Sequence, residues 1–277
     1  MKNLLIPVDF SNASRNAFQY AMELAARIGA EQAKLVHVFL PESSGEADFI
    51  PPVNALMETR HKLLNDFLEE LISESPGGLP VDVQTELLVG FPADEIASKS
   101  EGYDLVVMGT TGDGGVLERV FGSVSSSVSQ RAGCPVLLIP KDVRYAPIKH
   151  MVYASHYDAH HETVVKKLIA FNRLFNAHVH FVHVQRNKDI PFEKEQGKLF
   201  EELFEQGDPP FAFEMAEVKD DSVVEGLSAY AAAHGAQVIV MATRHRGFWE
   251  NILHSSQTKK MVLAAETPLL ILHLDMD

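Results

Sequence analysis

The segment from Val106 to Val128 combines a buried-strand pattern, a glycine-rich loop and a serine-rich helix start. It reads VVMGTTGDGGVLERVFGSVSSSV, and five glycines fall between Gly109 and Gly122. Glycines let a ligand approach the main chain closely, and successive backbone N–H groups in such a loop can bind an anion. Ser123 is the predicted cap of the following helix, whose N-terminus also favours negative charge. The segment therefore predicts an anion-binding loop.

The small number of cationic residues in this loop indicates how an anion would be bound. The loop contains no lysine and one arginine, Arg119, so the GxxxxGK[ST] pattern of P-loop proteins is absent. A phosphate would be bound mainly by backbone donors, hydroxyl groups and the helix dipole. The alternative is that the glycines only allow tight turns between a strand and a helix, with Arg119 as a solvated surface charge.

Asp9 is a candidate for the other side of the same site. It ends the apolar run NLLIPVD, which is typical of a strand buried on both faces of a parallel sheet. In an open parallel sheet, ligands bind beyond the carboxyl ends of the strands, where the strand order reverses. If the strands before Asp9 and Gly109 are neighbours, these two residues flank one crevice. A turn or helix-capping role for Asp9 is the alternative.

Five strands alternate with helices in the first half of the chain. Ser11 is the predicted N-cap, and Gly29 the predicted C-cap, of the helix after Asp9. Pro92 is typical of the first turn of a short helix, predicted over residues 92–99. This alternation predicts an α/β fold with a doubly wound parallel sheet. The predicted strands are NLLIPVD, AKLVHVFL, VDVQTELL, DLVVMG and PVLLIP.

The second half repeats the same order of elements. Met108 aligns with Met241 and Pro135 with Pro268, and the members of each pair are 133 positions apart. The repeat predicts two tandem domains, residues 1–146 and 147–277, joined near KDVRYAPIKH. The predicted strands are HMVYAS, AHVHFVHV, FAFEMAEV, AQVIVMA and TPLLILHL, with helices at 162–175, 192–205, 222–235 and after TRHRGFWENILH.

Composition restricts the class of protein. The 277 residues are 46% hydrophobic, which is enough to bury a substantial core, and this length allows one large domain or two small ones. The formal net charge is −14 and both halves are acidic, which argues against nucleic-acid or anionic-membrane binding. No apolar run approaches the roughly 20 residues of a membrane span, and no signal-peptide segment develops before Asp9. The single cysteine, Cys134, excludes an internal disulfide and is expected to be inert. We expect a cytoplasmic location.

The loop GTTGDGGVLERVFGS fits the G-x2-G-x9-G-[ST] signature of ATP-binding universal stress proteins through Gly109, Gly112, Gly122 and Ser123. The segments IPVDFSNAS, LVHVF, GFPADEIA and GSVSSSVSQRAGCPVLLIP resemble that family in the same order. The whole chain therefore resembles two tandem universal stress protein domains. The resemblance implies a Rossmann-like fold that binds ATP, with AMP, ADP and Mg²⁺ left open.

The resemblance also implies a role for each part of the crevice. Asp9 and Val38 would lie near the base, and Met108 and Gly109 near the sugar. The phosphates would lie against the glycine loop and the start of the next helix. The implied nucleotide-binding residues are Pro7, Val8, Asp9, Val38, Met108, Gly109, Thr110, Gly112, Gly122, Ser123, Val124 and Ser125. No catalytic residue and no metal ligand is assigned to this site.

The second domain departs from the signature at its glycines. Ala242 replaces the first glycine, His245 the second and Ser255 the third, while Ser256 still matches Ser123. Side chains at these positions would crowd a closely held phosphate chain. We therefore expect that the second domain does not bind ATP in the same manner.

Polar groups in the second domain offer other binding chemistry. Strand alternation puts His178 and His180 on one face and His183 on the other, so this group does not predict a three-histidine site. Candidate metal ligands, with capping and surface exposure as the alternative, are His156, Asp158, His160 and His161. Candidate contacts for an anion or an aromatic group, with a simple rim position as the alternative, are Arg244, His245, Arg246 and Trp249.

The sequence favours a non-enzymatic, ATP-binding stress-response regulator with one nucleotide site in the first domain. No catalytic base, nucleophile or Mg²⁺ cage is recognisable near the loop. The alternative is a slow ATP hydrolase or nucleotidyl-transfer enzyme in which Asp9 or Asp113 lies beside water or metal. A scaffold without a small ligand is the third hypothesis. The strands PVLLIP and PLLILHL are predicted at sheet edges, where they would pair the domains as an internal pseudo-dimer; a homodimer is left open.

Overall fold

The fold consists of two compact units. The computed structural model describes residues 1–41, 53–75, 77–110, 123–155, 161–185, 204, 209–243 and 267–273. The first unit holds the described residues up to Arg144, and the second holds those from Tyr145 onward. The domain boundary between residues 146 and 147 stays a prediction.

The first unit is a five-stranded sheet of order β3-β2-β1-β4-β5 with four described helices. All described pairs of neighbouring strands are parallel. The strands are β1 (Asn3–Pro7), β2 (Gln32–Phe39), β3 (Asp82–Val89), β4 (Leu105–Gly109) and β5 (Val136–Ile139). The helices are α1 (Asn12–Ile28), α2 (Val53–Ser73), α3 (Pro92–Ser100) and α4 (Ser123–Arg131).

The ends of α1 show why it starts and stops where the sequence predicts. The hydroxyl of Ser11 accepts a hydrogen bond from the backbone N–H of Ser14 at 3.1 Å, as an N-cap does. Gly29 ends the helix in the left-handed region at a φ of 67°, where glycine carries no Cβ penalty. Both predicted caps are confirmed. Together they set the length of α1, which connects β1 to β2.

The second unit repeats the order of the first, since its strands are arranged β8-β7-β6-β9-β10. Its described neighbours are again parallel. The strands are β6 (His150–Ser155), β7 (His178–Gln185), β8 (Phe213–Lys219), β9 (Val238–Thr243) and β10 (Leu269–His273). The described helices are α5 (His161–Asn172) and α6 (Val223–Ala233).

The predicted α/β class with two doubly wound parallel sheets is confirmed. All ten predicted strands are present, and β1 is buried on both faces, because the successive residues Leu4, Leu5 and Ile6 are fully buried. β1 ends at Pro7, two residues before the predicted end at Asp9. The helices predicted at 192–205 and after TRHRGFWENILH lie essentially outside the described residues.

Candidate functional site

The candidate site lies where the strand order of the first unit reverses. β1 pairs with β4 in parallel, with Leu4 opposite Leu105 and Leu5 opposite Val106. The chain runs from β1 outward to β3 and returns to β4 on the other side of β1, so the carboxyl ends of β1 and β4 open a crevice. We call this the β1–β4 crevice. The predicted neighbourhood of the two strands is confirmed.

Asp9 is exposed beyond the end of β1. Its Oδ1 accepts hydrogen bonds from the backbone N–H of Ser11 at 3.1 Å and from the Ser11 hydroxyl at 2.6 Å. The turn role that the sequence left open is therefore present, and it fixes the carboxylate beside the N-terminus of α1. Contact of Asp9 with a nucleotide stays a prediction.

The apolar wall of the crevice comes from residues at the ends of three strands. Val8, Val38 and Met108 are between 6% and 8% exposed, and Pro7 is also buried. The backbone N–H of Val8 donates to the carbonyl of Val36 at 2.8 Å. The sheet itself therefore holds this apolar wall in place, and its contact with a base stays a prediction.

His37 is the residue near this wall that sequence reasoning missed. Its Nδ1 lies 2.9 Å from the carbonyl oxygen of Val8, and because that oxygen only accepts, Nδ1 carries the proton. Its Nε2 is buried without a hydrogen-bond partner among the described residues. The Phe10 ring lies over the imidazole, with centroids 4.4 Å apart. The signal in the sequence was a single polar residue within the apolar strand LVHVF.

The environment of His37 predicts a pH dependence of stability. Burial lowers the pKa of His37 below its usual 6.5, against the opposing effect of the Val8 carbonyl. The unfolded chain therefore takes up a proton before the folded chain does. The stability that depends on a neutral His37 is fully present above about pH 6.5 and is lost as the pH falls toward the lowered pKa.

We expect a His37→Gln variant to lose less stability than the wild type between pH 7.5 and pH 5.5. Urea unfolding followed by circular dichroism at both pH values measures this difference. The matched control is His61→Gln on exposed α2, which should keep the wild-type pH dependence. An unchanged pH dependence in the His37 variant would contradict the assignment.

Gly109 packs closely against the start of α1. A Cβ at this position would lie 3.1 Å from the backbone carbon and oxygen of Ala13. A contact of this length is tighter than most Cβ contacts, so any side chain here would require β4 or the start of α1 to shift by a few tenths of an ångström. The structure therefore shows a packing role for Gly109, while its predicted contact with the sugar stays a prediction.

The two ends of the glycine-rich loop are joined by a hydrogen bond. The Ser125 hydroxyl donates to the Thr110 carbonyl oxygen at 3.1 Å, and both residues are buried. The Thr110 N–H donates to the carbonyl of Ile139 at 3.1 Å, which extends the sheet by one residue. The hydrogen bond from Ser125 to Thr110 connects the first turn of α4 to the end of β4. Ligand contact by Ser125 stays a prediction.

The remaining predicted residues of the loop are only partly described. α4 begins at Ser123, as the serine-rich run predicts, and Val124 is half-buried in its first turn. Gly112 and Gly122 lie outside the described residues. The first backbone N–H groups of α4 have no partner within the helix, so they are donors that an anion could use.

Most of the candidate binding residues of the second unit also lie outside the described part of the chain. Ala242 is a half-buried residue of β9, where the first unit has Gly109. His161 begins α5. Outside the described residues are His156, Asp158, His160, Arg244, His245, Arg246, Trp249, Ser255 and Ser256.

Two further features lie away from the β1–β4 crevice. A cleft of about 550 Å³ is lined by residues of β2, β3 and α3, and it contains none of the predicted nucleotide-binding residues. Cys134 is buried, and burial raises the pKa of its thiol to about 12. A protonated, buried thiol agrees with the expected lack of reactivity.

The fold and the site define a tandem α/β protein with one Rossmann-like sheet in each half. The family model for the universal stress protein family matches residues 1–140 and again residues 147–273. The chain belongs to this family, as a member with two domains in tandem. Among the described helices, none is both long and apolar enough to span a bilayer.

Individual relatives agree with this assignment. A universal stress protein of Methanocaldococcus jannaschii is 33% identical over 149 residues, which are 50% of this chain and 82% of the relative. A universal stress protein of Mycobacterium tuberculosis is 23% identical over 286 aligned positions, which cover 97% of this chain and 95% of the relative. The crystal structure of a universal stress protein from Archaeoglobus fulgidus matches with a TM-score of 0.72 at 18% identity, over 98% of this chain and 96% of that one. That likeness bears on the fold alone.

Proposed function

We propose that the chain is an ATP-binding stress-response regulator with one nucleotide site, in the β1–β4 crevice of the first unit. The observation that carries this proposal is the pairing of β1 with β4, which brings Asp9 and the start of the glycine loop to one edge of the sheet. Membership of the universal stress protein family supports it.

The groups around the crevice differ in chemistry along its length, as the parts of a nucleotide do. Val8, Val38 and Met108 offer apolar contact for a base. Asp9 is an acceptor for an amino or hydroxyl group, and its position is held by Ser11. The N-terminus of α4 offers backbone N–H donors for phosphate oxygens. This order of groups favours a nucleotide over a simple anion.

The second unit is proposed not to bind a nucleotide in this manner. Ala242 takes the place of Gly109, and His245 and Ser255 take the places of Gly112 and Gly122. Each replacement adds a side chain where the phosphates would approach the main chain. We therefore expect one nucleotide for each chain.

A direct test uses untagged, full-length protein. Nucleotide released by denaturing the purified protein is identified by mass spectrometry, and the nucleotide-free protein is titrated with ATP, ADP and AMP, with and without Mg²⁺. We expect one ATP per chain. The absence of both heat and a thermal shift at millimolar ATP would overturn the proposal, and formation of ADP in the titrated samples would identify hydrolysis.

Two features beyond the site belong to the same proposal. We place the protein in the cytoplasm, and we propose that β5 and β10 pair the two domains as an internal pseudo-dimer. The apolar sequence of both strands supports the pairing. A crystal structure with these strands far apart would refute it.

A further inference from the structure

Histidines gather at the amino ends of the strands in the second unit. His150 and His178 are the first residues of β6 and β7, and they lie opposite each other in the register. His180 lies two residues further along β7, on the same face, and opposite Glu214 of β8. This edge of the sheet is the opposite one from the carboxyl ends, so the cluster is separate from any ligand site at the switch point of this unit.

Three of these side chains bring metal-binding atoms together. One atom from each of His178, His180 and Glu214 lies within 4.8 Å of the other two. His180 is 4% exposed, and its Nδ1 lies 2.6 Å from Oε1 of Glu214. The ring centroids of His178 and His180 are 4.7 Å apart. The strand register places His180 beside Glu214, because paired residues of parallel neighbours lie side by side.

His178 provides an independent sign of a ligand. Its Nε2 is buried and has no hydrogen-bond partner among the described residues. Buried polar atoms in native proteins are nearly always paired, so the unpaired imidazole nitrogen of His178 needs an explanation. An ion that binds this nitrogen would supply the missing partner.

The surrounding side chains hold this arrangement in place. The Tyr230 hydroxyl donates to Oε1 of Glu214 at 2.7 Å, and the Tyr230 ring stacks on His234 with centroids 3.8 Å apart. His150 Nδ1 lies 3.1 Å from His180 Nε2. Hydrogen bonds of this kind orient the ligands of metal sites and are nearly as important as the ligands.

We propose that His178, His180 and Glu214 form a binding site for one divalent transition-metal ion, of which zinc is the best match. Two imidazoles and a carboxylate are common zinc ligands, whereas Mg²⁺ and Ca²⁺ prefer oxygen ligands throughout. The Glu214 side chain is 45% exposed, so the site opens to solvent, which gives the ion an entry path and leaves room for a water ligand.

Bound zinc would stabilise the second unit. The three ligands come from β7 and β8, and Tyr230 connects them to α6. When its concentration exceeds Kd, an ion that binds only the folded state raises the free energy of unfolding with the logarithm of that concentration. The unit that has lost the glycine loop would thus have a different ligand, at the other edge of its sheet.

The test uses the untagged full-length chain after treatment with EDTA and removal of the chelator. Calorimetric titration with ZnCl2 should give one zinc per chain, and thermal denaturation should show a higher Tm with zinc. Cobalt(II) in place of zinc should produce visible absorption bands of a low-symmetry, four-coordinate site. His178→Ala and Glu214→Gln should each weaken zinc binding by about 100-fold or more, because loss of a ligand exceeds the 10–100-fold cost of losing an outer partner.

Matched variants separate this site from unspecific binding by surface histidines and carboxylates. Glu217→Gln changes an exposed glutamate three residues further along β8, and His61→Ala changes an exposed histidine of α2. Both should bind zinc as the wild type does. Glu214→Gln keeps the shape and exposure of the side chain, so it tests the ligand even if His178→Ala impairs folding.

The outcomes distinguish the metal site from a plain hydrogen-bond network. Equal zinc affinity in the wild type and in both ligand variants, or no zinc binding by the wild type, would overturn the proposal and leave the cluster as a structural network. ATP titration of the same variants should be unchanged, since Asp9 and the glycine loop are untouched. The metal site and the nucleotide site can therefore fail independently.

Discussion

Replacing Gly112 and Gly122 together with valine should abolish nucleotide binding at micromolar ATP. The proposed loop binds phosphates through backbone N–H groups, and β-branched side chains would keep the phosphates at a distance and strain any backbone with positive φ. A hydrogen bond to a charged group contributes about 1.5–3 kcal/mol, so the loss of two predicts about a 100-fold or larger loss of affinity. Calorimetric titration with ATP measures this loss.

The second unit provides the matched control for this pair. Valine at His245 and Ser255 changes the equivalent positions, which have already lost the glycines. ATP affinity should stay within about twofold of the wild type in this control. Circular dichroism establishes that both double variants are folded. Equal losses in the two variants, or two ATP per wild-type chain, would show that the second unit binds nucleotide after all.

A single substitution at Gly109 should destabilise the first unit by about 1–3 kcal/mol, which is the usual cost of overpacking. In a Gly109→Val variant, the new Cβ would meet the backbone of Ala13 at 3.1 Å. That backbone belongs to the first turn of α1, which is fixed by the Ser11 cap. The helix cannot move away without disturbing the cap, so urea unfolding should show a lower free energy of unfolding.

Gly102→Val is the control for the packing argument. A Cβ at Gly102 meets only the carbonyl oxygen of Lys99, at 3.8 Å, which is an ordinary van der Waals contact. The free energy of unfolding of the Gly102→Val variant should remain within about 0.5 kcal/mol of the wild-type value, as for most surface substitutions. If Gly109→Val were as stable as Gly102→Val, the close approach of β4 to α1 would not be what requires glycine at this position.

The elements of the fold were predictable because local patterns determine them. The strand NLLIP is apolar after Asn3, and a short run of this kind is typical of a strand that is buried on both faces of a parallel sheet. Ser11 starts α1 through a hydrogen bond that its hydroxyl group accepts from the Ser14 N–H, and Gly29 ends the helix because glycine adopts a left-handed conformation easily. Both effects involve only neighbouring residues. The start of α4 near Ser123 was predictable because serine is strongly preferred at helix N-caps.

The end of β1 was predicted less well. The apolar run continues to Val8, yet the strand stops at Pro7 and the chain turns through Asp9 and Ser11. Val8 still donates to the carbonyl of Val36 in β2, and beyond it the Asp9 carboxylate accepts hydrogen bonds from Ser11 and turns the chain into α1. A pattern of apolar residues does not show where such a turn begins.

The sequence by itself determined the repeat, the parallel sheets and the family, because these depend on the order and polarity of residues along the chain. The tertiary structure alone decided which distant residues meet. It brought His37 Nδ1 within hydrogen-bonding distance of the Val8 carbonyl oxygen, and it packed Gly109 against Ala13. It also brought Glu214 to His180, although the alternation of β7 had argued against a site with three histidines. Register between strands and packing of helices on the sheet create these contacts, and neither is encoded in the spacing of residues within one strand.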